Sequence, residues 1–203
     1  MKKTFLLSLA LMLSALASVA ATNAMDILNQ AAAKFKDAPS VSASYTLMSG
    51  GEKVSGRVSF SGDRFTMTSP EILTWYDGTT QWTYNKANNE VTVSEPTPDE
   101  LGQINPFTVI NQFRNTYTAK ELQAPTGFKK IELTAKNPKA EITTAIVTFN
   151  DKSMLPSQIN ITMRSKQQIS IVLSSVTTGK KYNIKAFQFH APNYPGVQIV
   201  DLR

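Results

Sequence analysis

Between residues 25 and 36 the apolar side chains Ile27, Leu28, Ala31, Ala32 and Phe35 recur at helical spacing. Asp26 favours the start of this segment and Pro39 closes it, so the pattern predicts an amphipathic helix. After Pro39 the period falls to two. Val41, Ala43, Tyr45 and Leu47 alternate with Ser and Thr. Val54, Val58 and Phe60 follow the turn Gly50-Gly51, and Phe65 and Met67 follow Gly62-Asp63. Trp75-Tyr76 runs into Asp77-Gly78, which predicts a type I′ hairpin turn. Trp82 and Tyr84 alternate on the return strand, and Asn88-Asn89 turns the chain again before Val91 and Val93. Short strands joined by tight turns predict an antiparallel meander.

The meander breaks over residues 95–106, which hold three prolines and the helix-like stretch Asp99-Glu100-Leu101. Behind Pro106, Phe107, Ile110 and Phe113 fall on one face, predicting a short apolar helix over 106–114. Strands are predicted again at 117–122, 128–134, 142–149, 158–163 and 169–173. Tyr182, Ile184, Phe187 and Phe189 predict a last long strand, and 197–200 an added edge strand. The count is ten or eleven strands and two or three helices, mostly β, with no internal repeat and no dividing linker.

The N-terminus sets the expected compartment. Lys2 and Lys3 precede an apolar run from Phe5 to Leu16, and Val19 and Ala21 stand at −3 and −1 of a cleavage site. Residues 1–21 therefore read as a secretory signal peptide whose apolar run is too short to anchor in a membrane. Cleavage is expected after Ala21, with Ala20 and Ala24 as alternatives. That leaves residues 22–203, about 180 in number, as one domain in the periplasm.

The whole chain carries a net charge of +6, and two of its lysines leave with the leader. The remaining excess is spread along the chain, which fits ordinary solubility. The basic stripe with interleaved aromatics that a nucleic acid would need is missing. The chain has no Cys, so it is expected to hold together by its core rather than by disulfides. It also lacks the Cys on which a bacterial lipoprotein receives its lipid. A freely diffusing monomer is expected.

Catalysis is poorly served. His190 is the single histidine. Its neighbours alternate inward, so it is expected to face solvent. The sequence has no G-x-S-x-G elbow, no phosphate loop and no dinucleotide fingerprint. Its acids are scattered among turns and helix starts. Glu95, Asp99 and Glu100 come nearest to a cluster, and no metal site is expected. Neither catalytic residues nor a cofactor follow from this inventory. One sheet with one face to bury, plus short amphipathic helices, makes either an ordinary core or a lidded cavity, and the pattern leaves both open. Met25, Met48, Met67, Met154 and Met163 suit either.

Several stretches together carry a resemblance. They are the N-terminal helix, Val41-Ser-Ala-Ser-Tyr45-Thr, Gly56-Arg-Val58-Ser-Phe60, Trp75-Tyr76-Asp77-Gly78-Thr-Thr-Gln-Trp82-Thr-Tyr84, Asn105-Pro106-Phe107, Ala186-Phe187-Gln-Phe189-His-Ala-Pro192 and Gly196-Val197-Gln-Ile199. In this order the chain resembles the LolA family of outer-membrane lipoprotein carriers, in the form found in Bacteroidetes. The resemblance implies an unclosed half β-barrel of about 11 strands, a single curved antiparallel sheet under a helical lid. It implies a carrier and not an enzyme. Lipoprotein acyl chains would be taken from an inner-membrane ABC-type release complex and passed to an outer-membrane acceptor.

The acyl-binding residues expected from hydrophobicity are Ile27, Leu28 and Phe35 on the first helix, and Tyr45, Val58, Phe60, Phe65, Met67, Trp75, Trp82, Tyr84, Ile161 and Met163 on strands. Phe107, Ile110 and Phe113 on the second helix complete the set. The family's lid latch, a basic residue beside a proline, falls on Ser61-Gly62-Asp63-Arg64-Phe65. Arg64 is the candidate, but the proline is missing and a solvated turn arginine is the competing reading. Two other functions stand beside the lead. One is a related half-barrel that binds another lipid or hydrophobic ligand, or senses lipoproteins. The other is a hydrolase on a lipocalin-like barrel, which would need two buried acids or a Ser–acid pair in its pocket.

Overall fold

The computed structural model describes residues 23–34, 38–97, 100–101 and 116–203. The signal peptide, Phe35 and the predicted helix with Phe107, Ile110 and Phe113 lie outside the described residues. Among the described residues the helix α1 covers residues 23–34. Twelve strands follow: β1 Val41–Ser49, β2 Glu52–Ser61, β3 Arg64–Thr68, β4 Ile72–Tyr76, β5 Gln81–Asn85, β6 Glu90–Ser94, β7 Tyr117–Leu122, β8 Phe128–Ala135, β9 Ile142–Asn150, β10 Pro156–Met163, β11 Gln168–Thr178 and β12 Gln198–Asp201. They form one sheet in the order β12-β6-β5-β4-β3-β2-β1-β11-β10-β9-β8-β7. Every neighbouring pair is antiparallel except β12 with β6. The two ends do not pair with each other, so the sheet is an open half-barrel.

Local chemistry explains the turns. Gly50 and Gly51 both take positive φ, 58° and 86°, between the paired residues Ser49 and Glu52, as a type I′ turn requires. The Asp77-Gly78 turn departs from prediction. Tyr76 pairs with Gln81, so four residues form the loop, and the positive φ there is at Gly78. Asp77 Oδ1 accepts the backbone N–H groups of Thr79 and Thr80. Its carboxylate builds an Asx-type turn in place of a two-residue hairpin. At the centre of the sheet, β1 and β11 slip register between Ser42 and Ser44, opposite Ser175 at φ 51°. Such a bulge bends and twists a strand.

Helix α1 buries Ala24, Ile27, Leu28 and Ala31, the i, i+3, i+4, i+7 stripe of an amphipathic helix. It already includes residue 23, two residues before the predicted start, and Asn23 Nδ2 donates to the Glu121 carboxylate on β7. Its apolar stripe packs on one face of the sheet, here termed the inner face. There Tyr45, Val58, Ile131, Val147, Ile159 and Ile171 join it in one core. Burying Ile27 and Leu28 is worth about 2 kcal/mol each.

The predicted long strand over 182–189 does not form. Past Gly179 the chain leaves the sheet. Residues Ile184–Phe187 make a 3-10 turn started by Asn183, whose side chain accepts from the Lys185 N–H. The chain then crosses the outer face and returns as β12 at the predicted edge position. Near residue 97, Thr97 and Glu100 exchange side-chain and backbone hydrogen bonds, a capping box at the helix-like stretch.

Candidate functional site

Strand pairing sorts the side chains by face. One row of inner positions runs Ala43–Val58–Met67–Thr74–Thr83–Thr92 across β1 to β6. A second runs Val41–Phe60–Phe65–Tyr76–Gln81–Ser94. On the other side of β1, Leu47 faces Ile171, which continues to Ile159, Val147 and Ile131. The inner face is thus an apolar block from β8 to β3, lying beneath α1, and a polar block without a cation on β4 to β6.

Most of the expected ligand residues belong to the apolar block. Ile27, Leu28, Tyr45, Val58 and Ile161 are buried in the core, with Phe60, Met67 and Met163 partly buried against it. Phe65 is buried on the same face, its ring 5.3 Å from Tyr76 and 6.3 Å from Phe60. Tyr45 lies across Gly56 and donates its hydroxyl to the Thr68 carbonyl at 3.1 Å, and burial pushes its phenol pKa up. Sequence reasoning missed the fully buried Ile131, Leu133, Val147, Phe149, Ile159 and Ile171. Their own strands show the same alternation, so the signal was present.

Trp75, Trp82 and Tyr84 are a correction. Trp75 pairs with Thr66 and Trp82, and Tyr84 with Leu73, one step out of phase with Phe65 and Met67. All three therefore project from the outer face, where the C-terminal segment covers Trp75 and Tyr84. Trp75 contacts Phe189 at 5.7 Å and Tyr194 at 5.9 Å, and Tyr84 contacts Tyr194 at 4.6 Å. Further along the same face the Tyr182 hydroxyl hydrogen-bonds Ser42 and Ser59. Arg64 is likewise one residue out of phase with Phe65 and lies on the face away from α1. The latch role carried from the resemblance gains no support from that place. His190 is exposed as expected, but it precedes a 3-10 turn instead of lying in a strand.

Asp77 ties the C-terminal segment to the sheet, accepting from Gln188 Nε2 at 3.0 Å. Burial alone would raise its pKa. The bonds from Gln188 and from the Thr80 and Thr79 backbone outweigh that and hold the carboxyl below its ordinary value. A depressed folded-state pKa adds stability that is present above the unfolded value, near pH 4, and is lost as pH falls through the folded one. Asp77→Asn is therefore expected to lower stability at neutral pH and to flatten its fall below about pH 4, where the two proteins converge. Urea midpoints measured across that range check it.

Charge meets the apolar block at its β7–β8 end, where Lys129 stands opposite Phe149 and Glu121 opposite Ile131. Lys129 and Glu121 pair at 3.7 Å beside it, both partly exposed, an arrangement that adds little stability. Among the described residues no group of three or more His, Cys, Asp or Glu could hold a metal ion. No helix among them is long and apolar enough to cross a membrane.

An open antiparallel half-barrel with an amphipathic helix packed on its apolar face is the class of protein these elements define. The family described as "Outer membrane lipoprotein carrier protein LolA" matches residues 13–167, and the chain belongs to that family. Solved structures share the fold at low identity. An uncharacterized conserved protein from Thermus thermophilus is 10% identical with a TM-score of 0.59, over 88% of this chain and 99% of its own. A DUF1329 family protein from Desulfovibrio piger is 10% identical with a TM-score of 0.52, over 83% and 97%. MucB is 12% identical with a TM-score of 0.51, over 88% of this chain and 66% of its own. No curated relative matches the chain by sequence.

Proposed function

We propose that this protein is a periplasmic carrier that shelters lipoprotein acyl chains between α1 and the apolar block, in transit from an inner-membrane ABC-type release complex to an outer-membrane acceptor. The observation that carries the reading is the continuous apolar block of the inner face under an amphipathic helix, in a chain of this family. Each buried CH₂ is worth roughly 0.8 kcal/mol, so a 16-carbon chain left in water costs about 12 kcal/mol. A carrier must hide that surface and still release it. Helix α1 suits both needs, because apolar contacts hold its stripe to the sheet and such contacts are non-directional. An entering chain can replace them with contacts of the same kind.

The test incubates the purified protein with spheroplasts and assays the supernatant for a lipoprotein in complex with it. Release is the expected result. No release in the presence of an active inner-membrane transporter rejects the reading. Mass spectrometry of the purified protein separates it from the related-lipid alternative, since a bound lipid that is not attached to protein would favour the latter.

A further inference from the structure

The polar block of the inner face has no role in sheltering an acyl chain. Thr74, Thr83 and Thr92 recur every nine residues and stand side by side on β4, β5 and β6. They continue the row that is apolar at Ala43, Val58 and Met67. The next row ends in Gln81 and Ser94. Thr74 and Gln81 are buried. Gln81 Nε2 donates to Thr83 Oγ1 at 3.3 Å, yet Gln81 Oε1 is buried without a hydrogen-bond partner among the described residues. A buried unpaired carbonyl is costly, and native proteins keep few of them.

The inner positions of β4 to β6 carry Ile72, Thr74 and Tyr76, then Gln81, Thr83 and Asn85, then Glu90, Thr92 and Ser94. None is Lys or Arg, and the one charge is the acid Glu90. A phosphate or free carboxylate would find no cation there, next to an acid. An amide N–H or a hydroxyl that displaced the cover of Gln81 would find an unpaired acceptor and a row of hydroxyls. Resting on the carrier reading above, we infer that this block receives the neutral, hydrogen-bond-donating group next to the acyl chain. The site thereby selects acylated peptide over free fatty acid and anionic phospholipid. The acyl chain lies on the apolar block and its first amides on the Thr–Gln rows.

The experiment displaces a fluorescent acyl probe with three ligands that each carry one palmitoyl chain: an uncharged N-palmitoyl tetrapeptide amide, palmitate, and 1-palmitoyl lysophosphatidylglycerol. The wild type is expected to bind the palmitoyl peptide about tenfold tighter than either anion, the size of one or two well-made neutral hydrogen bonds. In Gln81→Leu with Thr83→Val that ratio falls towards one, while palmitate affinity shifts by less than about threefold. Gln81→Leu alone keeps or raises the melting temperature, because it removes an unpaired buried acceptor. Thr83→Val with Thr92→Val repeats the test at partly buried positions if the first pair folds poorly. Equal or tighter binding of palmitate by the wild type, or an unchanged ratio in both variants, overturns the inference and leaves the carrier reading standing. Failure of the wild type to bind any of the three ligands sinks both.

Discussion

Gly56→Ala is expected to destabilise the fold by about 3 kcal/mol or more, a large fraction of the stability of a domain this size. A β-carbon on residue 56 would stand 1.8 Å from the Thr68 carbonyl oxygen and 2.7 Å from the Tyr45 hydroxyl. The first of these atoms is backbone, so no side-chain rotation relieves the clash. To admit the methyl group, the end of β3 must part from β2 and the Tyr45 ring must swing off Gly56. That movement breaks its bond to Thr68 and opens the core that α1 covers. Tyr45→Phe keeps the ring and loses only the hydroxyl, so about 1 kcal/mol is expected there. Urea denaturation of both variants separates crowding from hydrogen bonding. A Gly56→Ala cost near that of Tyr45→Phe would show that the strands yield.

The comparison of Tyr45 with Trp75 shows how much of the fold and site was legible beforehand. Alternation predicted the strands that hold both residues, and nearly every strand boundary from β1 to β11 falls within two residues of expectation at one end or the other. Alternation has two phases, however, and it marks the core phase only where one face is wet. On β4 and β5 both phases are occupied. Tyr76 packs inward against Phe65 of β3, while Trp75 and Tyr84 pack outward under the C-terminal segment. The larger aromatics therefore drew the inner-face assignment to the wrong phase. Pairing register is a tertiary property, and it alone resolves such a strand. The C-terminal segment misled for a related reason. Phe187 and Phe189 look like strand alternation, but the Asn183 cap turns the chain at residue 184 and the two rings meet the outer face. The polar block went unread because Thr and Gln at strand positions look like an ordinary wet face. Only the row through Met67 shows that Thr74 and Thr83 share the face of the apolar core.

Because the two faces have separate covers, loss of one cover should leave the other intact. Phe187 is almost fully buried, with the Tyr182 ring 5.5 Å away, and it anchors the C-terminal segment beside β3. Phe187→Ala removes that anchor, and a cost of about 3–4 kcal/mol is expected. The effect should reach further than a cavity. The segment carries Phe189 and Tyr194 onto Trp75, holds Gln188 on Asp77 and delivers β12 to the open edge of β6. Trp75 emission should shift to the red, and protease should cut between residues 179 and 197 before it cuts the sheet. Ile27→Val, a milder lesion in the helix cover, is expected to cost about 1 kcal/mol. Ile27 belongs to the inner-face core and Phe187 lies against the outer face. With no shared partner, their effects should add to within about 0.5 kcal/mol. A coupling well above that would mean that the sheet transmits strain from the C-terminal segment to α1, and the helix would then not be free to yield to a ligand independently of the far face.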